Sequence, residues 1–220
     1  MRRGSGGRVA LEMTGSGDDA RDGDRTDSRM ANIVVGGSGR NVGKTALVCG
    51  LIAALPEYGW IAVKITGHSH GLAEPVHEEK IAEQEEDSGE DSACGTDTAR
   101  YLAAGARRAL LVTARGGDVP MVEMRAALGT DGNFIFETNR LAVGRADVCF
   151  AVIGGDKSQW KPSFEDFLRG ASAVVVHGNE ELRGVKLPPE LRVFREKDFG
   201  EISVGMAEWV RKRLSSEAAL

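Results

Sequence analysis

Ile33-Val34-Val35-Gly36-Gly37-Ser38-Gly39-Arg40-Asn41-Val42-Gly43-Lys44-Thr45-Ala46-Leu47 joins a β-branched run, a glycine-rich turn and a Gly-Lys-Thr in unbroken order. The β-branched run predicts a strand, and the residues after Gly43 predict a helix. A loop between the two, rich in glycine, lets backbone N–H groups curl closely around a polyphosphate. The helix N-terminus behind it adds unpaired donors and partial positive charge. In this arrangement Lys44 reaches the β- and γ-phosphates, and the Thr45 hydroxyl holds Mg²⁺. The candidate phosphate-binding residues are therefore Gly37, Ser38, Gly39, Arg40, Asn41, Val42, Gly43, Lys44, Thr45 and Ala46. The GxxxxGK[ST] spacing sets Ser38 where the first glycine belongs, flanked by Gly37 and Gly39. Either the loop is one residue longer, or serine is tolerated there.

From this loop outward the chain alternates short apolar runs with helical patterns. Strands are expected at 60–66, 108–113, 134–137, 148–153, 173–177 and 191–194. Helices are expected at 46–55, 96–105, 120–128, 164–168 and 202–214. Pro56 stops the first helix, Thr96 caps the second, and Gly105 ends it. Most of the strands are continuously apolar, which suits a sheet buried on both faces. The expected fold is α/β: a P-loop NTPase-type three-layer arrangement around a mostly parallel sheet.

Ligands of such sheets bind beyond the carboxyl ends of the strands. Glu137 ends Phe134-Ile135-Phe136 there, and this resembles a Walker B acid that holds Mg²⁺ or orients water. Lys44 and Glu137 are the catalytic candidates; Thr45, Glu137 and Asp97 are the metal candidates. Asp97 opens a helix, where capping alone also accounts for an acid. His68 and His70 lack an evident third metal ligand and read as loop residues or as phosphate and substrate contacts. Lys64, inside a strand, either pairs with an acid or phosphate or snorkels to solvent. Trp160 either walls a pocket or anchors packing.

Composition narrows the class. The chain has 220 residues, 41% hydrophobic and 28% charged, which is globular. No apolar run is long enough to span a bilayer. The three cysteines, Cys49, Cys94 and Cys149, form no CxxC and suit a reducing, cytoplasmic setting. A net charge of -5 is a poor footprint for nucleic acid. Residues 78–91 hold eight acidic side chains and one lysine, so the acidity belongs to one expected surface insertion at about 72–94. Residues 1–29 carry six arginines and six acids among glycine and serine, and are expected to be a disordered tail. Met30 is a candidate translation start, testable by intact mass. The domain itself is expected over 30–220.

The order of these stretches resembles MobB, the molybdopterin-guanine dinucleotide biosynthesis protein B family. The resemblance rests on Gly36–Thr45, Val63-Lys64-Ile65-Thr66-Gly67-His68-Ser69-His70, Gly95-Thr96-Asp97-Thr98, Ala104-Gly105-Ala106 and Phe134-Ile135-Phe136-Glu137. It covers roughly residues 32–152. It implies a nucleotide-binding protein, often dimeric, that assists a molybdenum-cofactor enzyme. Its cofactors would be Mg²⁺ and ATP or GTP, and turnover would be slow without the partner. Lys44 and Thr45 carry over as phosphate and Mg²⁺ contacts, Glu137 and Asp97 as metal- or water-orienting acids. The wider group includes dethiobiotin synthetase-like enzymes, so a small-molecule kinase or ligase is the alternative, with His68, His70 or Asn139 contacting substrate. The guanine-reading Asn-Lys-x-Asp of related nickel-insertion GTPases is absent from the sequence.

Overall fold

The computed structural model describes residues 30–66, 96–113, 132–141, 146–154, 157–179, 181–182 and 184–216. The expected tail at 1–29, the acidic insertion at 72–94, the helix at 120–128, and His68 and His70 lie outside them.

The glycine-rich loop is built into the middle of a sheet. In chain order the elements are β1 (Asn32–Gly37), α1 (Lys44–Ala54), β2 (Ile61–Thr66), α2 (Asp97–Ala103), β3 (Arg108–Thr113), β4 (Phe134–Glu137) and β5 (Val148–Ile153). They continue with α3 (Pro162–Arg169), β6 (Ala173–His177), β7 (Arg192–Glu196) and α4 (Val204–Ser216). The strand order is β3-β2-β4-β1-β5-β6-β7, and every pairing is parallel. Parallel neighbours cannot be joined by tight hairpins, so each link must cross a face of the sheet.

Residues alternate across that sheet and supply two cores. Ile33, Val35, Phe150 and Val152 pack with α1 (Leu47, Val48, Leu51), α2 (Tyr101) and α4 (Met206, Val210). Val34, Phe136, Ala151 and Val174 face the other way, against Phe164 and Phe167 of α3. The result is helix, sheet, helix: the expected three-layer α/β arrangement. Burying each of the two α3 phenylalanines is worth about 1.5–3 kcal/mol. Without them this amphipathic helix would have little reason to lie against the sheet.

The local signals act as read, with shifted ends. Thr96 caps α2 by accepting a hydrogen bond from the Ala99 amide (3.2 Å), and Gly105 follows the helix at φ 103°. α1 starts two residues earlier than expected, at Lys44, because Gly43 takes the cap position at φ 99°. α3 starts at Pro162, whose missing N–H costs nothing in a first turn. β7 and α4 are displaced by one or two residues from their expected bounds. Among the described residues, no helix is long and apolar enough to cross a membrane.

Candidate functional site

All strand ends that carry polar residues come out on one edge, because all the strands are parallel. Gly37, the last residue of β1, is clamped there from just beyond the end of the neighbouring strand β4. The Asn139 Oδ1 accepts from the Gly37 amide (2.7 Å), and its Nδ2 donates to the Gly37 carbonyl (2.8 Å). Asn139 thus imitates a strand partner just where the ladder ends. The Asn139 amide, expected as a substrate contact in the kinase or ligase reading, holds the loop and also lines the first cleft.

Ser38 settles the spacing question. It is buried, its amide donates to the Val152 carbonyl (2.9 Å), and its hydroxyl donates to the Gly154 carbonyl (2.8 Å). The side chain is directed to the end of β5, so serine fits the position without entering the loop's concave side. Two other residues provide the left-handed turns, Asn41 at φ 57° and Gly43 at φ 99°. Asn41 is the only described non-glycine residue with positive φ, a conformation that asparagine tolerates. Gly43 is required twice over, since a Cβ there would also clash with the Phe199 ring.

α1 begins at the loop's far end, with its first amides facing the same space. Lys44 arches back across the loop and donates to the Gly39 carbonyl (2.6 Å). Burial holds its pKa below the ordinary lysine value, with the Glu137 charge opposing that shift. Thr45 donates through Oγ1 to Glu137 Oε2 (2.8 Å). Glu137, only 5% exposed, also accepts from the Tyr101 hydroxyl, and Lys64 lies 3.3 Å from its other oxygen. Lys64 is hydrogen-bonded to Asp97 as well. Burial disfavours the Lys64 charge, but the bond to Asp97 and the charges of Glu137 and Asp97 outweigh it and raise its pKa. Of the two readings of Lys64, the paired one therefore holds. Burial, the Glu137 charge and the hydrogen bond raise the Tyr101 pKa, so the phenol stays protonated and keeps donating.

Two clefts meet over the loop. The first, about 770 Å³, contains Lys44, Thr45, Lys64, Asp97, Glu137 and Arg140, among others. The second, about 760 Å³, runs past Ser38 and Val42 to Gly154, Trp160, His177, Asp198 and Phe199. Gly39, Arg40, Asn41, Gly43, Ala46 and Lys161 belong to both. Each of the candidate phosphate-binding, catalytic and metal residues named in the sequence thus lines one cleft or the other, while His68 and His70 lie outside the described residues. Trp160 does both things considered for it: it walls the second cleft and meets Phe164 edge-on at 5.0 Å. Its indole N–H is buried with no hydrogen-bond partner among the described residues.

The donor chemistry suits Mg²⁺. Thr45 and Glu137 offer hard oxygens 2.8 Å apart at the mouth of the loop, with the Asp97 carboxylate one lysine away. Among the described residues no group of three or more His, Cys, Asp or Glu is arranged as a metal site. A cation that takes one or two protein oxygens and completes its shell with phosphate and water fits such a set.

Two contributors, Tyr101 and Phe199, carry no role in the sequence reading. Tyr101 stands one helical turn after Asp97, so α2 periodicity places both on one face. Phe199 gave no local signal, because its contact with Gly43 joins opposite ends of the domain. No protein-family model matches this chain, and no curated protein matches it significantly.

Proposed function

We propose that this chain is a Mg²⁺-dependent nucleoside triphosphate-binding protein, a MobB-like accessory NTPase in molybdenum-cofactor (molybdopterin guanine dinucleotide) biosynthesis. The supporting observation is the convergence of Lys44, Thr45 and Glu137 at the N-terminus of α1, around a loop of left-handed turns. The resemblance set out above adds the accessory role, a homodimer and a cofactor-assembling partner enzyme, and the cysteine pattern adds a cytoplasmic location.

In this reading the loop amides and Lys44 hold the β- and γ-phosphates of ATP or GTP. The nucleoside lies toward the cleft of Trp160, His177 and Phe199. Exchanging the Lys44–Gly39 bond for phosphate contacts turns a half-buried ammonium toward the charge it stabilises as the γ-phosphate departs. Thr45 and Glu137 would hold Mg²⁺, which neutralises phosphate charge when bound. Tyr101 and Lys64 keep the Glu137 carboxylate oriented, and Glu137 fixes either the metal's water shell or the attacking water.

Calorimetric titration of the full chain with Mg·ATP and Mg·GTP tests this. Lys44→Ala is expected to weaken binding by about two orders of magnitude, because a charge-assisted contact to phosphate is lost in a partly buried site. Equal affinity in wild type and variant would sink the assignment. A small-molecule kinase or ligase is the second reading. It is favoured by the continuation of the first cleft beyond Glu137 to Arg100 and Arg140. Turnover that rises with one small acid or amine would select it over the accessory role.

A further inference from the structure

We propose that Tyr101 is a positioning residue for the metal: its hydroxyl fixes Glu137 as the acceptor that turns the Thr45 oxygen toward Mg²⁺. The proposal rests on the nucleotide reading above, and it assigns Glu137 to the metal rather than to the attacking water.

A carboxylate offers about four lone-pair directions, shared equally by its oxygens. On Glu137 Oε2 they are taken by hydroxyls, that of Thr45 at 2.8 Å and the Tyr101 phenol. Lys64 stands 3.3 Å from Oε1. Oε2 thus has nothing left to offer a cation or an attacking water. The Thr45 hydroxyl, by contrast, spends only its hydrogen on Glu137. Its own lone pairs remain, and Thr45 lines the first cleft beside Lys44 and Gly43. Glu137 therefore serves a cation by orienting Thr45, and at Oε1 through water.

Tyr101 suits that task in three ways. Its ring is completely buried, in the core shared with Leu47 and Leu51 of α1, the helix that carries Thr45. A ring packed at interior density keeps its rotamer, so the hydroxyl is a fixed point for Glu137. The phenol stays protonated beside the Glu137 charge, so it always donates. The donor is also neutral. A second ammonium in its place would oppose the charge of the metal, whereas the Lys64 ammonium is shared with Asp97. Core packing alone would be served as well by phenylalanine. What the hydroxyl adds is its hydrogen bond to Glu137.

The test uses the full chain and the non-hydrolysable ATP or GTP analogue that binds more tightly. Calorimetry gives the analogue's affinity in excess Mg²⁺ and in EDTA, and their ratio is the gain due to the metal. Tyr101→Phe should cut that gain about ten-fold, while the affinity in EDTA stays within about three-fold of wild type. In a Glu137→Gln background the same change should alter the gain by less than about two-fold, because Tyr101 acts through Glu137. A further measurement leaves Tyr101 in place. The chain has two tyrosines, so Tyr58→Phe leaves a single phenol, whose buried hydroxyl proton should exchange slowly and be visible by NMR. That signal should shift when Mg²⁺ joins the analogue complex, and the shift should vanish in Glu137→Gln. An unchanged gain in Tyr101→Phe, an equal loss with and without Mg²⁺, or a full effect in the Glu137→Gln background overturns the proposal. If Tyr101→Phe does not fold, the hydroxyl signal decides alone, and a signal indifferent to Mg²⁺ overturns it. Wild type that binds the analogue in neither solution is a different result: it removes the nucleotide reading, and the role of Tyr101 falls with it.

Discussion

Asn139 offers the sharpest test of how the loop is held. Its amide makes two hydrogen bonds to one residue, at 2.7 and 2.8 Å, in a half-buried position. Each such bond contributes about 1 kcal/mol net, and a partner stranded away from water costs about 1–3 kcal/mol. Asn139→Ala should therefore destabilise the fold by about 2–4 kcal/mol. Urea denaturation of the full chain, followed by circular dichroism, measures this directly. Asn139→Asp sharpens the test, because it has nearly the same shape. The carboxylate still accepts from the Gly37 amide, but its other oxygen now faces the Gly37 carbonyl. Protonation would restore a donor there, so folding should raise this carboxyl's pKa above its unfolded value of about 3.9. The sign follows: the restored stability is complete below the unfolded pKa and is lost as pH rises through the folded one. The deficit of the Asp variant relative to wild type should thus be largest near neutrality and shrink in acid. An Ala variant within about 0.5 kcal/mol of wild type would refute the clamp. So would an Asp deficit that does not change with pH.

The other expectations concern the backbone and the cores. Gly43→Ala adds a left-handed alanine, about 1–2 kcal/mol, to displacement of the Phe199 ring, about 1–3 kcal/mol, so a loss of about 2–5 kcal/mol should appear in urea unfolding. Gly105→Ala has a similar positive φ with nothing within 4 Å, so only the strain of about 1–2 kcal/mol should appear. Burial pushes the Cys149 thiol up to about 12 from 9.0. Its contribution to stability is complete below 9.0 and lost as pH rises toward 12, by up to about 1.4 kcal/mol per pH unit. Urea midpoints measured from pH 8.5 upward should therefore fall less steeply in Cys149→Ala than in wild type.

Much of the fold was legible because its signals are local. Pro56, Thr96 and Gly105 each end or cap a helix through their own backbone chemistry. Ile33–Val35 and Val148–Ile153 declare buried parallel strands by being apolar throughout. From that, a common edge for Glu137 and the phosphate loop followed. What stayed hidden is what the tertiary structure decides. Lys64 is a paired lysine only because β2 lies beside β4, with Lys64 in register with Glu137, and because α2 brings Asp97 to the same place. Ser38 looked like a defect in a spacing rule until the end of β5 supplied its hydrogen-bond partners. Phe199 reaches Gly43 only after β7 has been laid at the far side of the sheet.

The central place of β1 also has a kinetic side. Both its neighbours, β4 and β5, are encoded roughly a hundred residues later. Chains emerge at about 5–20 residues per second, so this strand waits on the order of 5–20 s for a partner. During that wait Ile33, Val34 and Val35 present an apolar, unpaired edge of the kind that recruits other chains. Such long-range parallel pairing also slows the folding step itself. Sequence changes that delay β4 or β5 should therefore show first as lost yield of folded protein, before any change at the loop that β1 carries.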